Sequence, residues 1–352
     1  MKSLICLLGG VATFALASTA SAQEKPITIV LSHANMAVGE EVFLYAVPKA
    51  LGYFKDEGLD VTIQGASGGV QAGQVMASGN AQFITTLAEG VMQMREQGAD
   101  PVAILSLKNY NGYSVSTLPD SGIKSLADLT GKTIGFPVAG GGTVMMLDES
   151  LKAAGLKPEY TAIVIGTGPG AAAAVEQKRV EAAVLWDANY GLIENLGYKL
   201  NYIDLPIQNE IAGFTLSTSD KMVKDDPKSV EGFCRAVLKG LTYTLANKEA
   251  AVDLFFKEFP TTKAANVSDE EATKGAVNVL NKWLDSALKG VTDVSKLGSF
   301  DKAKWEKSKE LYAAAGTLKG TIPVDQAFTN QFIDGCNNFD HEAVKAQAMA
   351  AK

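Results

Sequence analysis

The residues best placed to do chemistry stand where strands end. Three times an apolar run gives way to a glycine-rich turn and then to a helical stretch: at 65–69, at 140–142 with Thr143, and at 166–170. Glycine there permits positive φ and lets a ligand approach the backbone closely. The helix start beyond the turn presents unpaired N–H groups and a partial positive charge, which suit a carboxylate, sulfonate, phosphate or polar heterocycle. The residues singled out are Gly68, Gly69, Gly141, Gly142, Thr143 and Gly168. One such turn alone is equally a plain strand–helix connection; three together favour a binding cleft.

Further polar candidates follow other strand ends. His33 and Asn35 lie in the loop after the first strand, where His33 is either a ligand contact or a structural hydrogen-bonding residue. Thr86, Glu89 and Asn109 hold similar positions. Trp186 and Asp187 end a strand of the middle region, with Asn189 and Tyr190 beside them. An indole there stacks on a flat ligand while the carboxylate accepts hydrogen bonds from it; the competing reading is a core tryptophan with an exposed turn acid. Two nucleotide-like motifs fail. Gly131-Lys132-Thr133 precedes its strand rather than following it, and the glycine spacing at 166–170 is not that of a dinucleotide fold. There are two histidines in all and no metal-ligand spacing, and no G-x-S-x-G nucleophile motif is present. Neither a cofactor nor catalysis is expected.

Alternating strands and helices must carry these turns. Strands are predicted at 27–32, 59–64, 81–86, 132–136, 162–165 and 182–186, with helices at 39–52 and 70–78. Such alternation through short connections argues for parallel α/β sheets. From Asp226-Pro227, an acid at the N-cap with proline at the first helical position, the last third reads as helical, with a final helix at 324–337. About 330 residues exceed a single core, so two lobes are expected. Two short β-prone stretches, 113–117 and 214–217, are the candidate hinge strands. Residues 23–115 with 216–352 then form a discontinuous first lobe and 116–215 the second.

Residues 1–22 have the anatomy of a cleaved secretory leader, with Lys2, an apolar run too short for a bilayer span, and Ala20-Ser21-Ala22. The expected location is therefore the periplasm. Thirty-nine acidic residues against 32 basic ones, with no basic run, exclude nucleic acid as a natural partner. Beyond the leader, Cys234 and Cys336 either form one disulfide or remain thiols, since Cys234 also lies on an apolar helical face.

At 50–61 the sequence Ala-Leu-Gly-Tyr-Phe-Lys-Asp-Glu-Gly-Leu-Asp-Val resembles the signature of the NMT1/THI5-like substrate-binding proteins. The resemblance continues through Gly68-Gly69, 77–83, 125–135 and 180–187, where Ala188 replaces the usual proline. It implies a type II periplasmic-binding fold, two α/β lobes joined by two hinge strands, to which the residue pattern adds the helical C-terminal third. It also implies a monomeric, non-catalytic receptor that hands a small molecule to the permease and ATPase subunits of an ABC importer. The cargo would be a pyrimidine-type heterocycle or, ranked just behind, a sulfonate- or nitrate-type anion. An enzyme of the same fold acting on a pyrimidine precursor, or a ligand-presenting sensor protein, is the alternative. The cysteine-rich motif of the fungal pyrimidine-synthesising enzymes is missing.

Overall fold

In the computed structural model, residues 24–139, 142–291 and 296–351 are described. Gly141 and the expected leader at 1–22 lie outside them.

The β-branched run of β1 (Lys25–Leu31) buries its apolar residues and pairs in parallel with β2 (Leu59–Gly65) and β3 (Phe83–Leu87). A π-helical turn, Val42–Ala46, runs into α1 (Val47–Ala50), followed by α2 (Tyr53–Asp56). Helix α3 (Gly69–Ala77) leads to β3, and α4 (Ala88–Glu96) leads to β4 (Pro101–Ser106). The chain then crosses to β5 (Tyr113–Thr117), β6 (Thr133–Phe136), α5 (Gly142–Ala153), β7 (Thr161–Val164), α6 (Gly168–Glu176), β8 (Ala182–Trp186), α7 (Asp187–Asn195) and β9 (Asn201–Asp204). It returns through β10 (Phe214–Ser219) and continues as α8 (Asp220–Asp225), α9 (Pro227–Ala246), α10 (Lys248–Glu258), α11 (Asp269–Leu288), α12 (Lys302–Ala314), α13 (Val324–Ala327), α14 (Ile333–Cys336) and α15 (His341–Ala350).

Two five-stranded sheets result, in the orders β2-β1-β3-β10-β4 and β7-β6-β8-β5-β9. The expectation of purely parallel sheets needs correction. β10 runs antiparallel to β3 and β4, and β5 antiparallel to β8 and β9. These are the two predicted hinge strands, each absorbed into the sheet it enters. A chain arriving from the other lobe has no crossover helix to turn it parallel. The segments that cross are 107–112 and 205–213. Buried Gln208 fastens them together, accepting from the Tyr113 N–H (2.8 Å) and donating to the Tyr110 hydroxyl (3.1 Å).

The 50–61 signature is structural. Phe54 stacks on Phe233 of α9, which stacks on Phe83 of β3 with ring centroids 4.0 Å apart. Gly52 and Gly58 turn the chain at φ +76° and +72°. Helix α9 begins as expected, with the Asp226 carboxylate accepting from the Ser229 N–H. Cys234 of α9 and Cys336 of α14 are disulfide-bonded. The predicted helix at 324–337 is instead two short helices. Between them Phe328 bridges Ala103, and the Thr329 N–H donates to the Ala103 carbonyl, so extended backbone along β4 interrupts the helix. Helix α11 packs along α7 of the second sheet, closely enough that a Cβ on Gly191 would lie 2.9 Å from Val279 Cα.

Candidate functional site

The parallel strands of both sheets end in the turns singled out above, and the crossing segment 107–112 brings the two sets together. Its Lys108 is buried and lies 2.6 Å from Asp187 Oδ2, at the first turn of α7. Lys108 Nζ also sits 4.6 Å from the ring centroid of Trp283 in α11, a cation–π contact. From the first lobe, Glu40 faces the same ammonium, and its Oε1 is 3.0 Å from His33 Nε2. His33 Nδ1 meets the Asn35 carbonyl at 3.0 Å, and Glu41 Oε1 is 3.7 Å from Nε2.

These charges set one another's protonation. Burial opposes the imidazolium, but the Glu40 hydrogen bond and charge, the strongest opposing effects, overcome it, and the His33 pKa rises to about 9. Burial likewise opposes ionisation of Glu40, and the His33 hydrogen bond and charge outweigh it, holding that carboxyl low. Burial, then the neighbouring Glu40 charge, pushes Glu41 up to about 8. The neutral-pH arrangement is thus imidazolium, carboxylate and carboxylic acid, with Lys108 and Asp187 as a second pair. Three ligating atoms of His33, Glu40 and Glu41 lie within 4.8 Å of one another, a spacing a metal ion can use. The expectation that no carboxylates stand at metal-ligand spacing around His33 is corrected by this cluster, which only folding brings together.

The predicted residues divide. Asp187 is neither a free acceptor nor an exposed turn acid: its carboxylate is taken by Lys108 and by the Ala188 N–H. Gly168, at φ +56°, donates its N–H to Asn189 Oδ1, and Pro169 has none to offer, so α6 does not present the expected anion cradle. Tyr190 is a core residue that hydrogen-bonds between Leu185 and Ser114. His33 is committed to its loop, and Asn35 is exposed. Asn109 Oδ1 accepts from the Ser106 hydroxyl.

Others are not engaged in this way. Gly68 caps α3 without a side-chain bond. Gly69 and Gly90 press on Thr86, since a Cβ at either would stand 2.5 or 2.4 Å from Thr86 Oγ1. Gly142 borders open space, and Thr143 Oγ1 is buried without a hydrogen-bond partner among the described residues. Trp186 is partly exposed and sits opposite Tyr113 in the β5–β8 register, so the two side chains leave the same face of the second sheet. Glu89, in the first turn of α4, has Oε2 shielded and unpartnered, and burial lifts its pKa to about 7 against the opposing hydrogen bond of Tyr312.

Sequence reasoning missed Lys108, Glu40, Glu41 and Trp283. Only Lys108 carried a signal, as a cation next to the candidate Asn109 at a strand end; Trp283 reads as an ordinary apolar position of a long helix.

Two mixed α/β sheets, linked by two short crossing segments and lined with strand-end turns, define a type II periplasmic-binding fold. The chain belongs to the NMT1/THI5-like family, whose model matches residues 41–251. It is 28% identical over 296 residues to the riboflavin-binding protein RibY of Chloroflexus aurantiacus, covering 83% of this chain and 82% of that one. It is 23% identical over 295 residues to the formylaminopyrimidine-binding protein of Halalkalibacterium halodurans, covering 82% and 85%. Among solved structures, the periplasmic aliphatic sulphonate binding protein SsuA of Escherichia coli superimposes with a TM-score of 0.64 at 17% identity, covering 87% and 92%.

Proposed function

We propose that this chain is the solute-binding component of an ABC importer, working outside the cytoplasmic membrane, and that its cargo is a flat nitrogen heterocycle of the pyrimidine or flavin class. The observation that carries the reading is the Trp186–Tyr113 pair. The two residues are partners at the ends of adjacent antiparallel strands and neither is fully buried, so both aromatic side chains leave the same face of the sheet, a surface suited to a planar ring rather than to a small anion. The names of two relatives, one binding riboflavin and one a pyrimidine, support it. The poor donor supply at the start of α6 weighs against a sulfonate. The Cys234–Cys336 disulfide supports an oxidising compartment. No described helix is long and apolar enough to cross a membrane.

Binding would work by closure about 107–112 and 205–213, with the ligand contributing contacts that only the closed form completes. No step of catalysis is proposed. His33, the one histidine at the site, is spent on Glu40, and no described nucleophile stands against it.

Calorimetric titration of the chain with riboflavin, 4-amino-2-methylpyrimidine, an alkanesulfonate and nitrate tests the reading. Saturable binding of one ring compound, with no change in it on recovery, is expected. Preference for the sulfonate or nitrate over both rings overturns it.

A further inference from the structure

Folding brings one imidazole and two carboxylates together at the end of β1. His33 Nε2 is 3.0 Å from Glu40 Oε1 and 3.7 Å from Glu41 Oε1, and the three ligating atoms all lie within 4.8 Å of one another. Atoms each about 2.1 Å from one tetrahedral centre are about 3.4 Å apart, and the two separations bracket that value. No other group of His, Cys, Asp and Glu side chains among the described residues meets this spacing. The surroundings hold the three in place. The Asn35 carbonyl, 3.0 Å from His33 Nδ1, takes the ring's other N–H, as second partners of metal-bound imidazoles do, and leaves Nε2 facing the carboxylates. The Ala37 N–H donates to Glu41 Oε1 at 3.0 Å, and just ahead of His33 the Ser32 N–H donates to Thr85 Oγ1 at 3.2 Å. Gly65 lets the end of β2 press on this loop, since a Cβ there would stand 2.7 Å from the His33 carbonyl oxygen.

Charge points the same way. Glu40 and Glu41 have side-chain exposures of 8% and 1%, and the ammonium that faces Glu40, Lys108, is bound to Asp187. Beside a neutral imidazole, the three carboxylates of Glu40, Glu41 and Asp187 against one ammonium leave two negative charges uncancelled. Buried charges are paired or coordinate a metal, and a divalent cation cancels two. The half-open side of the cluster is His33, whose side chain is 37% exposed, so an ion has a way in.

We infer that His33, Glu40 and Glu41 form a binding site for one divalent cation of the zinc class, which ties the loop after β1 to the start of the π-helical turn. One imidazole with two carboxylates suits zinc or cobalt better than calcium or magnesium, which take oxygen donors. Ligands bind such an ion deprotonated, so it displaces the protons that the cluster otherwise holds. The site needs nothing from the cargo, and its failure leaves the ring-binding reading untouched.

The test titrates the untagged chain, stripped with EDTA and dialysed, with zinc, calcium and magnesium chlorides by calorimetry at neutral pH. One equivalent of zinc should bind, and neither calcium nor magnesium should displace it. His33→Gln, Glu40→Gln and Glu41→Gln should each weaken zinc by about tenfold or more, whereas His341→Gln should bind as wild type does. The chain has two histidines, so imidazole NMR of wild type with one equivalent of cobalt gives a reading that needs no variant. The His33 ring signals should broaden and those of His341 should stay. No binding at one equivalent, calcium or magnesium bound as tightly as zinc, or three variants within about twofold of wild type each overturns the site. Cobalt that leaves His33 unmoved overturns it even where the variants do not fold. Loss of zinc in His341→Gln does so too, because it marks adventitious surface binding.

Discussion

Lys108 Nζ and Asp187 Oδ2 are 2.6 Å apart with side-chain exposures of 6% and 7%, so the crossing segment is pinned to the start of α7 by a desolvated ion pair. Removing one partner leaves the other charged and buried, which costs about 3–5 kcal/mol. Lys108→Met and Asp187→Asn should each lower stability by that order in urea unfolding. The double variant should recover a good part of it. Additive losses would show that the pair is not coupled.

Gly112 has φ +75°, and a Cβ there would lie 2.2 Å from Asp187 Oδ2 and 2.8 Å from Ser286 Oγ. Gly58 has a similar φ, +72°, but faces open space. Both positions strain an L-residue by about 1 kcal/mol or more, and only Gly112 adds a collision with the ion pair. Gly112→Ala should therefore destabilise clearly more than Gly58→Ala, measured by the same unfolding curves. Equal losses would contradict the close approach.

Trp186→Ala should weaken ligand binding at least tenfold while leaving the unfolding midpoint within a few degrees of wild type, because the ring is partly exposed and not part of the buried core. Calorimetry with thermal unfolding checks both halves. Unchanged affinity removes Trp186 from the site.

The Cys234–Cys336 bridge closes a loop across a sequence separation of 102. Constraint of the unfolded chain over such a loop is worth about 2–5 kcal/mol. Cys336→Ser, or reduction of the native protein, should lower stability by that amount. Titration of the unreduced, denatured chain should find neither cysteine free.

The His33–Glu41 region predicts a pH dependence of one sign. The His33 pKa rises from 6.5 to about 9 on folding, so its stabilisation is full below the lower value and lost as pH rises through the higher. Glu41 rises from 4.5 to about 8 and Glu89 from 4.5 to about 7. In those windows the folded chain holds protons that the unfolded chain has released, so stability again falls with rising pH. The melting temperature should decline from about pH 5 to about pH 9. Glu41→Gln should flatten the part below about pH 8. A midpoint that is level or rising over that range contradicts the assignment.

Much of the architecture was legible because periodicity and punctuation are local. The β1 run, the Asp226-Pro227 helix start and the glycine turns all declare themselves within a few residues. The direction of β5 and β10 did not, since a strand's polarity depends on where the chain comes from. The site was less legible. Trp186 was singled out because it ends a strand, whereas Lys108, Glu40 and Trp283 meet only through folding, from three separate parts of the chain. Asp187 shows the cost of local reading: as a residue type at a strand end it offered an acceptor, and its distant partner Lys108 had already used it.

In the first sheet β10 separates β3 from β4, yet it follows the whole of the second sheet in the chain. Synthesis proceeds from the N-terminus, so β3 and β4 wait with open edges until Phe214–Ser219 emerges. The second sheet, built from one unbroken stretch, is under no such delay. Nascent β3 and β4 thus keep unpaired edges, where misassembly begins, for longer. On the proposed placement outside the cytoplasmic membrane, a lobe that cannot finish early would remain threadable through a secretion channel for longer.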